Sequence, residues 1–463
     1  MNKLSQKTAT FVERLISMLE SPSGRTAFRS IVLVYGLLLG LHCVGRAELP
    51  KKILVEKPHY DSPLQAGSEE DTQAIYYSSE FRSFRALSWG AVVGETDQYT
   101  GLHTRAYPPF FAIAFFPFAV LWRVSYVGST LFFVLSYGGS LLTAWCLARW
   151  WQSPGQRLRF GLFALIWLVL LPFTSAVLAR CETDMLVVTP MAAALLLMVR
   201  PRGPAWAGAL LGFAASFKVL PGLFGVYFIC QRRWRAAAGM VAAGLVCMVL
   251  LPVAVWGPRG AWNQHVSWYR HVVVPYHTQG ATGFIGHAYR STNQSLTAAV
   301  HRFLTPIAAG KSGDTRQVNI VSLSHRSAQL IAAVLRALIG LGLIVLWVTC
   351  RRAEETPAAL AASFATVTLG ILLLSEVSLG THHVTLIVPL AVLITRATCL
   401  KDEASKRLLW MSAVAVLVYL VGTSLTVRLL SPYLWATCLL LTASVILVLG
   451  DARRNVLNGG VRA

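Results

Sequence analysis

Along most of the chain, long apolar runs alternate with short polar breaks, the pattern of helices that cross a membrane rather than of amphipathic helices around a soluble core. Crossing about 30 Å of hydrocarbon takes roughly 17 to 25 residues. Runs of that order fall at about 27–45, 128–148, 160–179, 184–199, 236–256, 327–349, 358–375, 383–398, 408–427 and 432–449. Two stretches fit less well. Residues 109–122 are short for a span, and 205–229 is interrupted by Lys218 and Pro221, which reads as one kinked helix or as two short helices meeting at the lysine. Such a break is tolerated where its freed backbone groups line a polar cavity. The expectation is an all-α polytopic membrane protein of about 10 to 13 transmembrane helices, with one domain over 27–450. Two long polar loops interrupt it, a large first one at 46–107 and a second at 257–326.

Composition agrees with a membrane chain: 463 residues, 55% hydrophobic, 13% charged, mean hydropathy +0.57. The formal charge of +21 suggests nucleic acid at first sight. Its residues, however, cluster between apolar runs: Arg149, Arg157 and Arg159; Arg200 and Arg202; Arg232, Arg233 and Arg235; Arg351 and Arg352; Lys406 and Arg407; Arg453 and Arg454. That is the positive-inside pattern, so these are read as cytoplasmic loops and nucleic acid is not expected as a partner. Segments 1–26 and 451–463 then lie in the cytoplasm, and both long loops outside it. Placing Arg149 to Arg159 inside requires an odd number of crossings between Tyr107 and Arg149, where the pattern offers one clear run and one short one. The eight cysteines form no C-x-x-C pair, so neither a disulfide framework nor a zinc site is expected. No small-residue cleavage site follows the run from Ile31, which is read as a retained first span.

Polar chemistry gathers on the non-cytoplasmic side of this topology. The first loop carries Glu69-Glu70-Asp71, then Tyr76-Tyr77, Trp89-Gly90 and Tyr99, and ends at Tyr107-Pro108-Pro109, where proline fixes the start of a helix. Arg180, Glu182 and Asp184 fall within five positions at a membrane boundary; they read as a solvated loop with an internal ion pair, or as the wall of a polar cavity. Lys218 in an apolar segment calls for a partner such as a lipid phosphate, or for snorkelling to an interface. Asn293-Gln294-Ser295-Leu296 contains an N-x-S acceptor triplet, or else two amides that bond sugar hydroxyls. His382 and His383 are adjacent, about 100° apart on a helix, a poor arrangement for one metal and a better one for phosphate or sugar.

In this order, an acidic residue ahead of Tyr-Tyr, Gly then Tyr, Tyr-Pro-Pro, a lysine two residues before Leu-Pro, Asn-Gln-Ser-Leu and a late His-His resemble glycosyltransferase family 87. That family comprises polyprenyl-phosphate-mannose-dependent mannosyltransferases with a GT-C membrane fold. The resemblance covers about residues 65 to 400. It implies transfer of a hexose, mannose foremost, from a polyprenyl-phosphate donor to a glycan or glycolipid acceptor at a membrane, with no cofactor and no metal. Asp71 matches the first-loop aspartate that acts as general base, although Glu69 and Glu70 stand beside it. Lys218, His382, His383 and Arg180 are candidates for the donor phosphate, and Tyr76, Tyr77, Tyr107, Glu182, Asn293 and Gln294 for the substrates. Where relatives carry Gly-Gln-x-Asn, this chain has Arg180-Cys181-Glu182-Thr183, which implies a different acceptor or sugar. A single base without a second carboxylate nucleophile fits inversion. No G-x-G-x-x-G or Walker-type loop is present, as a lipid-linked donor would explain. A transporter or flippase of lipid-linked sugars, or a lipid-linked glycan ligase, are the competing readings. The chain carries no eukaryotic retention signal, which points to a bacterial inner (plasma) membrane with the site on its outer side.

Overall fold

The computed structural model describes residues 2–48, 52–54, 74–76, 80–93, 99, 107–121, 127–153, 155–279, 289–310, 316–351, 356–400, 403–422 and 425–459. In chain order its elements are α1 (Asn2–Glu20), α2 (Pro22–Glu48), β1 (Lys52–Leu54), β2 (Ala74–Tyr76), α3 (Glu80–Val92), α4 (Phe110–Val120), α5 (Val127–Arg149) and α6 (Phe160–Ala179). Next come α7 (Met185–Met198), α8 (Pro204–Phe217), α9 (Leu223–Cys230), α10 (Trp234–Leu245), α11 (Leu251–Trp268), α12 (Val274–Gln279) and α13 (Leu296–Leu304). The chain closes with α14 (His325–Thr349), α15 (Pro357–Leu374), a 3-10 segment Gly380–Leu386 leading into α16 (Ile387–Thr398), α17 (Glu403–Val421), α18 (Leu425–Arg428) and α19 (Pro432–Gly459). Among the described residues the only strands are the short antiparallel pair β1–β2, and this is an all-α polytopic membrane protein.

Among the described residues nine helical segments are long and apolar enough to span, and they cover nine of the ten runs read from the sequence. The tenth, 184–199, forms the 14-residue α7. The run expected at 408–427 stops at Val421. Helices α15 and α16 are the most enclosed, whereas α2 shows Leu33, Leu37, Leu38 and Leu41 on an outer apolar face suited to lipid. The helices α8 and α10 approach so closely that a Cβ on Gly208 or Gly239 would strike the backbone of the other helix, as small residues allow in membrane packing.

Long-range ties define two faces. At one, Arg159 pairs with Glu20 at 3.2 Å, Arg200 donates to the Arg149 carbonyl at 3.4 Å, and Arg396 holds Asp451 through two bonds of 2.7 and 3.0 Å. This basic face gathers the arginine clusters. At the other, Cys181 lies against the Cys43 carbonyl and Lys218 meets Asp184.

The short stretch 109–122 does not cross. Gly36 and Gly40 of α2 face the rings of Tyr137 and Phe133 in antiparallel α5, so α5 starts at the same face as the end of α2 and descends to Arg149. Tyr107 is already at that face, so only α5 crosses between Tyr107 and Arg149, which is the odd count the charge pattern required. The stretch 205–229 is two helices. Pro221 has no N–H to give, and its ring would clash with the Phe217 carbonyl four residues back, so α8 ends at Phe217 and Lys218 turns extended (φ −147°, ψ 112°). Among its described residues the second loop is largely helical, with α11 running on past its start and α12 and α13 within it. The expected stop at Trp256 survives as a sharp break: Gly257 takes φ 70°, ψ 169°, open only to glycine, and redirects the helix.

Candidate active site

The loop from α6 to α7 is shaped by its backbone. Cys181 N–H donates to Leu178 O and Glu182 N–H to Val177 O, both at 3.0 Å, closing α6 with Cys181 in the left-handed position (φ 54°) where glycine is usual. The turn sends Arg180 one way and Glu182 to Asp184 the other. Helices α7 and α8 have 14 residues each, about 21 Å at 1.5 Å per residue, short of the roughly 30 Å of hydrocarbon. Asp184 at the head of α7 and Lys218 at the end of α8 therefore sit in a recess of that face.

There Lys218 Nζ donates to Asp184 Oδ1 at 2.7 Å, with side chains 14% and 6% exposed. The ammonium also lies 5.9 Å from the centre of the Tyr107 ring. Tyr107 is held by stacking on Phe111 (4.2 Å) and by the edge of Phe84 (5.5 Å), and its carbonyl accepts from Tyr99 Oη at 2.8 Å. The α3–α4 pair beneath it is fixed by Ser88 Oγ donating to Ala112 O (2.6 Å) and Trp256 Nε1 donating to Ala91 O (2.8 Å). Loss of solvent pushes the Tyr107 phenol up to about 12, against the opposing pull of Lys218. Burial alone would raise the Asp184 carboxyl too, but Lys218 holds it below its ordinary value. Leu379 N–H donates to His382 Nδ1 at 3.3 Å, leaving Nε2 as the donor of a neutral imidazole. An apolar cavity of about 360 Å³ adjoins this cluster. Its walls include Pro108 and Val219, the neighbours of Tyr107 and Lys218, and continue along Gly212, Met240, Met248 and Trp268.

A second, smaller cavity of about 50 Å³ lies across the Leu379–Thr381 turn, lined among others by Arg180, Ser291, Gln294, Thr381, Arg428 and the paired rings of Tyr419 and Tyr433 (4.5 Å apart). Arg428 Nε donates to Gly422 O at 3.0 Å and its guanidinium lies 6.0 Å from the Tyr433 ring.

The residues expected from sequence divide between these places. Lys218, Tyr107, Glu182 and His382 meet at the first cluster, Glu182 being close enough to act on the charges of both Tyr107 and Lys218. Arg180 and Gln294 line the second cavity instead. His383 turns away from Lys218: its Nδ1 bonds the Leu379 carbonyl at 3.0 Å and its ring meets Tyr433 at 5.2 Å. Asn293 is fully buried, its Nδ2 donating to Glu376 O (2.9 Å) and its Oδ1 accepting from Ser295 N (3.1 Å) and Ser378 N (2.9 Å). Its amide is spent on joining the two loops, which corrects the expectation of an amide turned to sugar hydroxyls and equally that of a glycosylation acceptor. Asp71 and Tyr77 lie outside the described residues; Tyr76 is described only as part of β2. Sequence reasoning noted Asp184 but did not pair it with Lys218, although an unpaired lysine and an acidic boundary loop on one face were the available signal. Arg428, Tyr419 and Tyr433 it missed, since nothing local marks them.

The sequence matches the family model described as glycosyltransferase family 87 over residues 106–375, more than half of the chain. It is also similar to a protein of Mycobacterium tuberculosis (strain ATCC 25618 / H37Rv) described as polyprenol-phosphate-mannose-dependent alpha-(1-2)-phosphatidylinositol mannoside mannosyltransferase. The two are 28% identical over 203 residues, 42% of this chain and 45% of that relative, so the match spans about half the length of the relative. No solved structure matches the chain.

Proposed function

The chain belongs to glycosyltransferase family 87, and from that premise we propose that it moves mannose from a polyprenyl phosphate to a glycan or glycolipid acceptor. One observation carries this reading: a buried cation, Lys218, is next in the chain to Val219, which lines an apolar cavity in a membrane protein. A donor with a phosphate head on an isoprenoid tail needs such a junction. The tail fills the cavity, and the phosphate replaces or joins Asp184 on Lys218, with His382 Nε2 as a second donor. The relative's description, which names a polyprenol-phosphate-mannose donor, agrees.

The reaction then runs as a single displacement. The acceptor oxygen forms a bond to the anomeric carbon as the bond from that carbon to the phosphate oxygen breaks. The electron pair leaves on the phosphate, whose growing charge Lys218 and His382 stabilise. The proton passes to a carboxylate base, for which Asp71 is the assignment. Asp184 suits that task poorly, because a carboxylate held by an ammonium at 2.7 Å is a weak base. One displacement inverts the anomeric centre, and the active face is the extracytoplasmic side of the plasma membrane.

The test is product analysis with protein reconstituted in lipid, radiolabelled polyprenyl-phosphate mannose and a crude acceptor extract. Transfer of label with release of polyprenyl monophosphate is expected. Release of a pyrophosphate carrier, or translocation with no bond changed, contradicts the proposal.

A further inference from the structure

The second cavity carries chemistry that the donor centre does not use. Arg180 and Arg428 both line it, and among the described residues no carboxylate does, so these bring it two positive charges. Two of its polar atoms, Ser291 Oγ and Gln294 Oε1, are buried and meet no hydrogen-bond partner among the described residues; the two residues are at most 1% exposed. Leaving one such group unsatisfied is costly, and two beside a pair of guanidiniums mark a place built for a polar occupant. The Gln294 amide cannot flip to relieve its oxygen, because its Nε2 already donates to Ser291 O (2.6 Å) and Arg428 O (2.9 Å). The inventory defines the guest. Two guanidiniums and the Ser291 hydroxyl are donors for an oxyanion, and one amide oxygen accepts from a neighbouring hydroxyl. With about 10 to 15 Å³ needed per water on this measure, 50 Å³ takes a phosphate-sized group and no hexose ring.

We infer that this cavity binds a phosphate ester of the acceptor, with an adjacent hydroxyl on Gln294, and so sets the acceptor beside the donor. The inference rests on the transferase reading for the word acceptor, while the site itself rests on the cavity. Its place supports the assignment. The apolar cavity lies on the Lys218 side, so the lipid-linked donor phosphate belongs there. Thr381 is shared, lining this cavity and facing the Asp184 carboxylate of the other. The two anions would thus be held on either side of the Leu379–Thr381 turn, and Arg180 serves the acceptor rather than the donor.

The test is calorimetric titration, without donor, of protein in phosphatidylcholine nanodiscs with glycerol 1-phosphate and, separately, with glycerol. Glycerol 1-phosphate should bind at least about tenfold tighter than glycerol, the scale of one charge-assisted hydrogen bond. Arg428→Gln and Ser291→Ala should each weaken it, Arg428→Gln by about tenfold or more, and Arg428→Lys should recover part of the loss. Lys218→Gln should leave this binding in place. If phosphatidylglycerol added to the discs weakens the titration, the natural guest is a lipid headgroup; if it does not, the guest is a water-soluble phosphate ester. Equal binding of glycerol and glycerol 1-phosphate overturns the inference, and so does loss with Lys218→Gln but not with Arg428→Gln. Because no donor is present, absence of mannosyl transfer would refute the proposed reaction and leave this result standing.

Discussion

Lys218 and Asp184 form the pair on which the proposed donor site depends, and breaking it from either side should give different results. Their side chains are 14% and 6% exposed and 2.7 Å apart, so removing one leaves the other charge buried and uncompensated, at a cost of about 3 to 5 kcal/mol. Lys218→Met and Asp184→Asn should each lower stability on that scale. Lys218→Met/Asp184→Leu, with neither charge, should recover most of it, since apolar replacement of a buried pair is often neutral. The ligand separates the two single variants. In Asp184→Asn the ammonium is free for a phosphate, so polyprenyl phosphate at about 100 times its Kd should return about 2.7 kcal/mol. In Lys218→Met it should return far less. The assay is thermal unfolding in detergent followed by tryptophan fluorescence, with and without polyprenyl phosphate. Equal stabilisation of the two variants would refute a phosphate on Lys218, and additive single losses would refute a coupled pair.

Four further outcomes are expected. Asp71→Asn should abolish mannosyl transfer while donor binding, measured by titration, stays near wild type; normal turnover would move the base to another carboxylate. Arg396→Met should cost about 1 to 3 kcal/mol, because Asp451 loses two charge-assisted bonds at the basic face but keeps Arg454 at 2.7 Å, with donor affinity unchanged in the same titration. Gly257→Ala should cost about 1 to 3 kcal/mol in thermal unfolding, because φ 70°, ψ 169° admits little but glycine. His301, stacked on Tyr289 and bonded to Gln329 with His325 beside it, has its pKa lowered to about 4 by burial. The fold prefers the neutral ring, so the contribution is whole above the unfolded value near 6.5 and is lost as pH falls toward 4, by up to about 3 kcal/mol. Hydrogen exchange in α13 should rise over that window and be flat over it in His301→Gln.

The spans were legible because a long apolar run in lipid satisfies its backbone as helix, whereas their ends were less so: the run at 408–427 stops at Val421 and that at 236–256 continues to Tyr276. The broken helix was legible for the same kind of reason, since Lys218 and Pro221 each carry a local physical meaning. Tyr107, Glu182 and His382 could be grouped with Lys218 because the charge pattern put them on one face. What sequence does not carry is which polar atoms remain unspent after folding. Asn293 and Gln294 are neighbours, yet one amide is consumed by the Glu376–Ser378 loop and the other keeps a bare oxygen. Arg428, Tyr419 and Tyr433 come from helices far along the chain and read locally as a span boundary and core aromatics. Crossing parity at 107–149 likewise needed the contact of Gly36 and Gly40 with α5, a fact of packing.

The most direct measurement is the position of bound polyprenyl phosphate, determined by electron cryomicroscopy of the protein in nanodiscs. The phosphate should stand within hydrogen-bond distance of Lys218 Nζ, close to His382, with the isoprenoid chain in the apolar cavity lined by Pro108, Val219, Met240, Met248 and Trp268. A phosphate seated between Arg180 and Arg428, or a chain lying along α2 and α5, would contradict the donor site described above.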